Sequence, residues 1–347
     1  MTTLTYEMTT LPIYGRKNLE PHDTGLREEK MNYVSVTTGV ISLILSAGAA
    51  VAEFPERPIN LIAPFNAGGG TDLLLRGLAP HFAEAIGGDV FVSNMAGGSG
   101  TVAASALQGQ RADGYQLGYF SITVSTIQPQ IRDVPYGVDS WTPICSVAAS
   151  PTLLFTSADL PYMSAEDVVA AVKANPGALV YGSSGAGAMT HLTTVAAFAG
   201  LDIIDDMVHL PFQGSGPAVQ ALTAGTIQFF GDTEILMQRG DFRPLMVFNN
   251  ERLETYPDVP TAAEAGIEAP LNELYLWGGL FAPAGVEPEV VAKLESACEE
   301  AVSSDGFNEF AANSGTVINY RGASEFDAFF RAQYEANSVL IEAAGLN

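Results

Sequence analysis

The stretch Asn60-Leu-Ile-Ala-Pro-Phe-Asn-Ala-Gly-Gly-Gly-Thr-Asp72, followed by the apolar-periodic run Leu73 to Ile86, reads as a buried strand, a glycine loop and a helix start. Three glycines at 68, 69 and 70 let the backbone approach a bound group closely. Thr71 is the natural N-cap, and the helix behind it turns unpaired amides and a positive dipole end toward the loop. The loop lacks the Lys-Ser/Thr of a P-loop, and its glycines do not have the G-x-G-x-x-G spacing of a dinucleotide site. It is a cradle for an anion or polar group.

The device recurs. Tyr181-Gly-Ser-Ser-Gly-Ala-Gly-Ala-Met-Thr-His-Leu192 again places a strand, a loop with Gly182, Gly185 and Gly187, and a helix beginning near Ala188. Leu210-Pro-Phe-Gln-Gly-Ser-Gly-Pro-Ala218 is a third instance, with Pro217 suited to a first helical turn, and Asn94 to Thr101 is a fourth. Strand-like runs stand at Ile59 to Pro64, Val90 to Ser93, Gln116 to Ser121, Leu153 to Thr156, Leu179 to Gly182, Val208 to Pro211, Ile227 to Phe230, Leu245 to Phe248, Tyr275 to Phe281 and Val317 to Tyr320, with helical stretches between them. That alternation is α/β, and several strand ends aiming helix N-termini at one crevice is how open α/β sheets bind ligands. Pro80 is expected to kink or split the first helix.

Val34 to Ala52 is uncharged and mostly apolar and ends Ala50-Val51-Ala52 before Glu53, the pattern of a cleaved secretory signal that leaves a protein in the periplasm. A membrane anchor competes on length alone. Met31 is an alternative start, but beginning there strips the leader of Arg27 and Lys30. The whole chain carries 15 Lys and Arg against 39 Asp and Glu, and cleavage takes four of the first and five of the second, leaving a net charge of −23. Nucleic acid is therefore excluded as a partner, as is an anionic membrane surface. Cys145 and Cys298 are expected to be two buried free thiols.

Ser183, Ser184, His191 and His209 invite a test for serine hydrolysis, but Gly182-Ser-Ser-Gly185-Ala186 is not G-x-S-x-G. No H-E-x-x-H or acidic ligand series accompanies the histidines, so neither metal nor cofactor is expected. Asp72 and Asp232 each follow a strand-loop segment; the first suits the helix dipole and the second an ordinary turn. Thr71, Ser121, Thr123, Ser183 and Ser184 are better direct donors, because hydroxyls and helix N-terminal amides can hold a carboxylate without any cation.

These residues resemble a known family, the periplasmic substrate-binding proteins of tripartite tricarboxylate transporters, or Bug family. The resemblance runs from Phe54 to the C-terminus. It rests on Phe54-Pro-Glu-Arg-Pro-Ile, the first glycine loop, Ala112-Asp-Gly-Tyr115, the second loop with His191-Leu192, Pro211-Phe-Gln-Gly-Ser-Gly-Pro-Ala218, Pro257-Asp-Val-Pro-Thr261 with Glu264-Ala-Gly266, and Phe281-Ala-Pro-Ala-Gly285. It implies a two-lobed, type II-like Venus flytrap that the chain crosses twice. Residues 53–151 and 276–347 would form one α/β lobe and 152–275 the other, after an extension and signal over 1–52.

The resemblance also implies a ligand between the lobes: a di- or tricarboxylate, an amino acid or an aromatic acid, delivered by a monomeric, non-enzymatic receptor to membrane permease subunits. A receptor feeding a two-component sensor is the alternative, and a serine hydrolase a distant one. Carried over, the first lobe contributes Phe65, Asn66, Ala67, Gly69, Gly70, Thr71 and Asp72, with Ser121 and Thr123. The second contributes Ser183, Ser184, Gly185, Gly187, Ala188 and His191, with Gln213, Gly214 and Asp232 behind. Three departures stand out: Gln213 where Lys is frequent, Ala188 where a hydroxyl is common, and Gly231 where Phe often precedes the Asp. The last is expected to enlarge the pocket or admit water.

Overall fold

The ten runs with strand character all form strands in the computed structural model, which describes residues 54–346. The leader and its cleavage site lie outside the described residues. The chain begins β1 (Ile59–Ala63), α1 (Gly70–Ile86), β2 (Val90–Asn94), α2 (Thr101–Gln108), β3 (Gln116–Ser121) and the short α3 (Gln128–Ile131). Strand β4 (Trp141–Ser157) then leads to α4 (Ala165–Ala174), β5 (Leu179–Ser183), α5 (Met189–Gly200), β6 (Met207–Pro211), α6 (Ser215–Thr223), β7 (Phe229–Thr233) and β8 (Phe242–Val247). It closes with β9 (Tyr275–Pro283), α7 (Pro288–Ser303), α8 (Asp305–Ser314), β10 (Ile318–Gly322) and α9 (Ala323–Ala343).

The strands lie in the order β2-β1-β3-β9-β4-β7-β5-β6, with β8 and β10 also paired to β4. One arrangement appears twice. Strand β1 runs parallel between β2 and β3, and β5 runs parallel between β6 and β7, so each triplet delivers its C-terminal ends, and the loops that follow them, to one edge. Between the triplets run the antiparallel pair β4 and β9, paired from Trp141 with Pro283 to Pro151 with Tyr275 with two shifts of register along the way. From Thr152 onward β4 takes β7 and β8 as neighbours instead.

Strand β4 is 17 residues long, far beyond the Leu153 to Thr156 segment that its composition marks. Pro143 and Pro151 disguise its first part. The ladder tolerates Pro143 because the register slips between Pro143 and Cys145, where a missing N–H costs little. Nor does Pro80 split α1, which is continuous from Gly70 to Ile86. Pro80 and Arg76 are exposed, so the carbonyl freed one turn back faces water, while buried Leu74, Leu75, Leu78 and Phe82 hold the opposite face down.

The cysteines are a further correction. Cys145 on β4 and Cys298 on α7 form a disulfide, with Cα atoms 6.5 Å apart across 153 residues of sequence. Packing α7 over the sheet brings both buried sulfurs together, which no local pattern announces. Closing a loop of that length stabilises the fold by about 5 kcal/mol in the chain-entropy model. Among the described residues, no helix is long and apolar enough to cross a membrane.

Candidate functional site

The loops after β1, β5 and β6 meet where the two triplets face each other. Helix α1 starts one residue after Gly69, its N-cap, so Thr71 is already helical and is not the cap. Gly69 caps in an extended conformation without using a side chain, which frees the Thr71 hydroxyl to line the cleft. Asp72 braces the loop from behind. Its carboxylate accepts from the Gly68 N–H (2.9 Å), Arg76 Nε (3.0 Å) and Asn94 Nδ2 (3.0 Å), and Asn94 Nδ2 also reaches the Phe65 carbonyl (3.0 Å). Burial alone would raise its pKa, but the bonds from Arg76, Gly68 and Asn94 hold it below the ordinary carboxylate value.

The second loop is braced without charge. Ser183 is fully buried and shares a 2.7 Å hydrogen bond with His209 Nε2 while its oxygen accepts from the Gly185 N–H (3.2 Å). Gly187 N–H donates to His191 Nδ1 (3.2 Å), which fixes that nitrogen as unprotonated. The two imidazoles stack with centroids 4.0 Å apart, and Tyr181 lies nearly parallel to both, 5.0 Å from His209 and 6.2 Å from His191. Burial, and for His191 the neighbouring His209, lowers both pKa values to about 4. Ser184 pairs with Thr190 through N–H (2.8 Å) and hydroxyl (2.7 Å), and Ala188 is the N-cap of α5.

One contact between the triplets is backbone to backbone. Asn66 N–H donates to the Gln213 carbonyl (3.2 Å), so Asn66, Ala67, Gln213 and Gly214 form a seam. Gly214 adopts φ of 123°, where other residues are strained, and a Cβ on it would stand 3.0 Å from that of Phe65. A Cβ on Gly216 would fall 2.6 Å from the Ala67 carbonyl oxygen. The second loop is clasped in turn by residues before β4. Its Ala186 carbonyl accepts from the Ser99 hydroxyl (2.9 Å) and Arg132 (3.1 Å), and its Gly187 carbonyl from Gln128 Nε2 (3.0 Å). Met189 N–H, at the start of α5, donates to Thr123 Oγ1 (2.9 Å).

Between these loops lies a cleft with two adjoining compartments of about 20 and 30 Å³, sharing Gly70, Thr71, Ser121 and Leu276. Of the residues expected from sequence, Phe65, Gly69, Gly70, Thr71, Ser121, Thr123, Ser184 and Asp232 line the smaller one. Asp72, Ser183 and His191 do not line it; they hold the loop backbones. Asp232 is 1% exposed and accepts from the Ser215 hydroxyl and the Thr233 N–H (2.7 Å). Burial pushes its pKa up to about 6 against those hydrogen bonds. The space beside Gly231 does not open into the cleft, because Thr193 would lie 2.8 Å from a Cβ there; the glycine admits α5. The sequence reading passes over Thr190 and Leu276 in the smaller compartment, and reaches Ser215 only as part of the third glycine loop. Thr190 and Ser215 sit in first helical turns after glycine loops, a usable signal, whereas Leu276 carries none.

A family model described as "Tripartite tricarboxylate transporter family receptor" matches residues 74–346. The chain belongs to that receptor family. Protein BugT of Bordetella pertussis is 30% identical over 302 residues, spanning 83% of this chain and 91% of that protein. Two solved structures from Rhodopseudomonas palustris share the fold. MatC with bound malate is 25% identical, with a TM-score of 0.76 over 83% of this chain and 100% of its own. Rpa4515 with adipate is 27% identical, with a TM-score of 0.77 over 84% and 99%. Receptors of this family are periplasmic solute-binding proteins, and this chain carries their α/β fold.

Proposed function

We propose that this chain is a periplasmic receptor that captures a small organic acid between two lobes and delivers it to the permease subunits of a tripartite tricarboxylate-type transporter. The lobes are residues 53–151 with 276–347, and residues 152–275; the change of partners along β4 at Pro151 and Thr152 supports that division. The observation that carries the reading is the cleft itself. N-termini of α1, α5 and α6 converge on it, and hydroxyls of Thr71, Ser121 and Ser184 line it without any lysine or arginine. Such a site holds a carboxylate by amides, hydroxyls and helix dipoles. The malate and adipate in the two R. palustris relatives are acids of this kind.

Lobe closure is the mechanism. Contacts such as Asn66 with Gln213 and Gln128 with Gly187 exist only when the lobes meet, and a ligand touching both lobes adds its differential contact energy to that state. The Cys145–Cys298 disulfide suits an oxidising compartment. The pair Ser183 and His209 is not read as catalytic, since Ser183 is fully buried and does not line the cleft. Thermal-shift screening of the purified protein against mono-, di- and tricarboxylates, amino acids and aromatic acids tests the reading. At least one acid at 100 times its Kd should stabilise the fold by about 2.7 kcal/mol. If none raises the melting temperature, or if ester turnover is found that Ser184→Ala abolishes, the receptor reading is wrong.

A further inference from the structure

The cleft read above as the seat of an anion already holds a carboxylate of its own. Among the described residues, Asp232 is the only charged residue lining either compartment; it lines the smaller one and is 1% exposed. Its partners are neutral. Oδ2 accepts from the Ser215 hydroxyl, and Oδ1 accepts from the Thr233 N–H (2.7 Å) and, at longer range, the Thr233 hydroxyl (3.4 Å). Oδ1 also stands 3.8 Å from where a Cβ on Gly70 would be, and Gly70 and Ser215 are the first residues of α1 and α6. The carboxylate therefore sits between two of the positive helix ends that a ligand carboxylate needs. An ionised Asp232 would compete for them and repel the newcomer, and two carboxylates sharing one site do not both stay ionised.

The elements around β7 bring no cation that would keep Asp232 charged. Strand β7 packs against β4, β5, α5, α6 and the short helical segment Glu234–Arg239. Helix α6 has no titratable side chain, and in β4 the only one, Cys145, is tied up in the disulfide. Strand β5 brings Tyr181, whose pKa burial pushes up to about 12, and α5 brings His191, neutral above about pH 4. Glu234 is half-buried and of the same sign, while exposed Arg239 has its guanidinium over Gly68. On α1, Asp72 is already paired with Arg76 (2.9 Å). Burial accordingly raises the pKa of Asp232 to about 6 with the cleft empty. The hydrogens decide what a proton there does. Ser215 has one hydroxyl hydrogen, which an ionised Asp232 holds on Oδ2. A protonated Asp232 can donate to Ser215 Oγ instead, which frees the serine hydrogen to donate into the compartment that Ser215 lines.

We infer that a carboxylate entering the smaller compartment brings one proton with it from solvent, that Asp232 takes this proton, and that Ser215 presents it to the ligand as a hydrogen bond. The inference rests on the receptor reading and makes its binding step proton-coupled. Calorimetry on the purified protein tests it with butyrate, succinate, adipate, benzoate and glutamate, and with any further acid that raises the melting temperature, in buffers of different ionisation enthalpy. At pH 7.5 binding should take up about one proton per acid molecule, and affinity should fall about tenfold per pH unit from pH 6.5 to 8. Asp232→Asn sets a fixed amide where the protonated carboxyl would stand. It should take up no proton, lose the pH dependence, and bind at pH 8 at least tenfold more tightly than the native chain, a gain that a merely structural role would not give. Ser215→Ala should weaken binding about fivefold at pH 6.5; unchanged affinity there removes Ser215 from the relay. Binding with no proton uptake and a flat pH profile overturns the inference and leaves the receptor reading standing. So does tight binding confined to glutamate without proton uptake, which would mean that an ionised Asp232 holds an ammonium group. No binding by any acid here or in the wider thermal-shift panel overturns both.

Discussion

The two glycine loops look alike in sequence and are held by opposite means. The loop after β1 hangs from a carboxylate: Asp72 gathers the Gly68 amide, Arg76 and Asn94, all within its own parallel triplet. The loop after β5 is held by a serine and two stacked neutral histidines, and its outward carbonyls are satisfied by Ser99, Gln128 and Arg132 from the other triplet. In the closing motion proposed above, the first loop is therefore organised beforehand and the second completed when the lobes meet. One is a fixed jaw and the other a jaw that sets when it meets its partner.

The strongest way to break this comparison is to stop the jaws meeting. Gly216→Val would drive a side chain into the Ala67 carbonyl and against the backbone of Gly68 and Gly69 across the seam. Calorimetric affinity should fall about 100-fold, or roughly 2.7 kcal/mol, with the melting temperature of the free protein little changed. Full affinity in this variant would mean that the seam between Asn66 and Gln213 is not part of the liganded state.

Asp72→Ala tests the fixed jaw. It strands the Gly68 amide, takes one of two acceptors from Asn94 Nδ2 and leaves Arg76 without its carboxylate partner. Affinity should drop tenfold or more, about 1.4 kcal/mol, although Asp72 does not line the cleft. Gln128→Ala, by contrast, removes a neutral amide that spans the jaws to the Ala186 and Gly187 carbonyls, and a loss of about fivefold, near 1 kcal/mol, is expected. If Gln128→Ala proves as costly as Asp72→Ala, the distinction between a preformed and a closing loop fails.

Much of this was legible in the sequence, and what was not has a common cause. Strand ends, glycine loops and helix starts are local, so Gly69 and Gly70, Ser184 and the whole α/β order could be read directly. The roles of Asp72, Ser183 and His191 could not, because whether a polar group faces a ligand or its own loop depends on which partners the fold brings near. Asp72 meets Asn94 only because β1 and β2 pair in register from Ile59 with Val90 to Ala63 with Asn94. The disulfide, the length of β4 and the compartment around Tyr119 and Leu276 are likewise products of long-range packing. Gly231 shows the same limit in reverse. A missing side chain suggests space, but Thr193 of α5 occupies it.

The smallest effect separates the jaws by pH. His191 and His209 have pKa values lowered from 6.5 to about 4, so between those values the unfolded chain binds protons that the folded one refuses. Their contribution to stability is complete above about pH 6.5 and is lost as pH falls toward 4. Asp72 is shifted the other way for a carboxylate, below its ordinary 3.8, so its contribution persists until pH falls through that lower value. Asp232 opposes the histidines, because its raised pKa of about 6 makes the folded state the better proton binder between 3.8 and 6. A global melting curve would therefore blur the histidine signal. Amide exchange reads the loops separately. Once corrected for intrinsic rates, the amides of Gly185 and Gly187 should lose protection as pH is lowered to about 4, while that of Gly68 keeps it. His209→Phe, which cannot take up the proton, should flatten the response of Gly185, whose acceptor Ser183 is held by His209, and leave that of Gly187, bonded to His191, and that of Gly68 in place. Equal loss of protection in both loops at pH 4 would show that one brace serves them both.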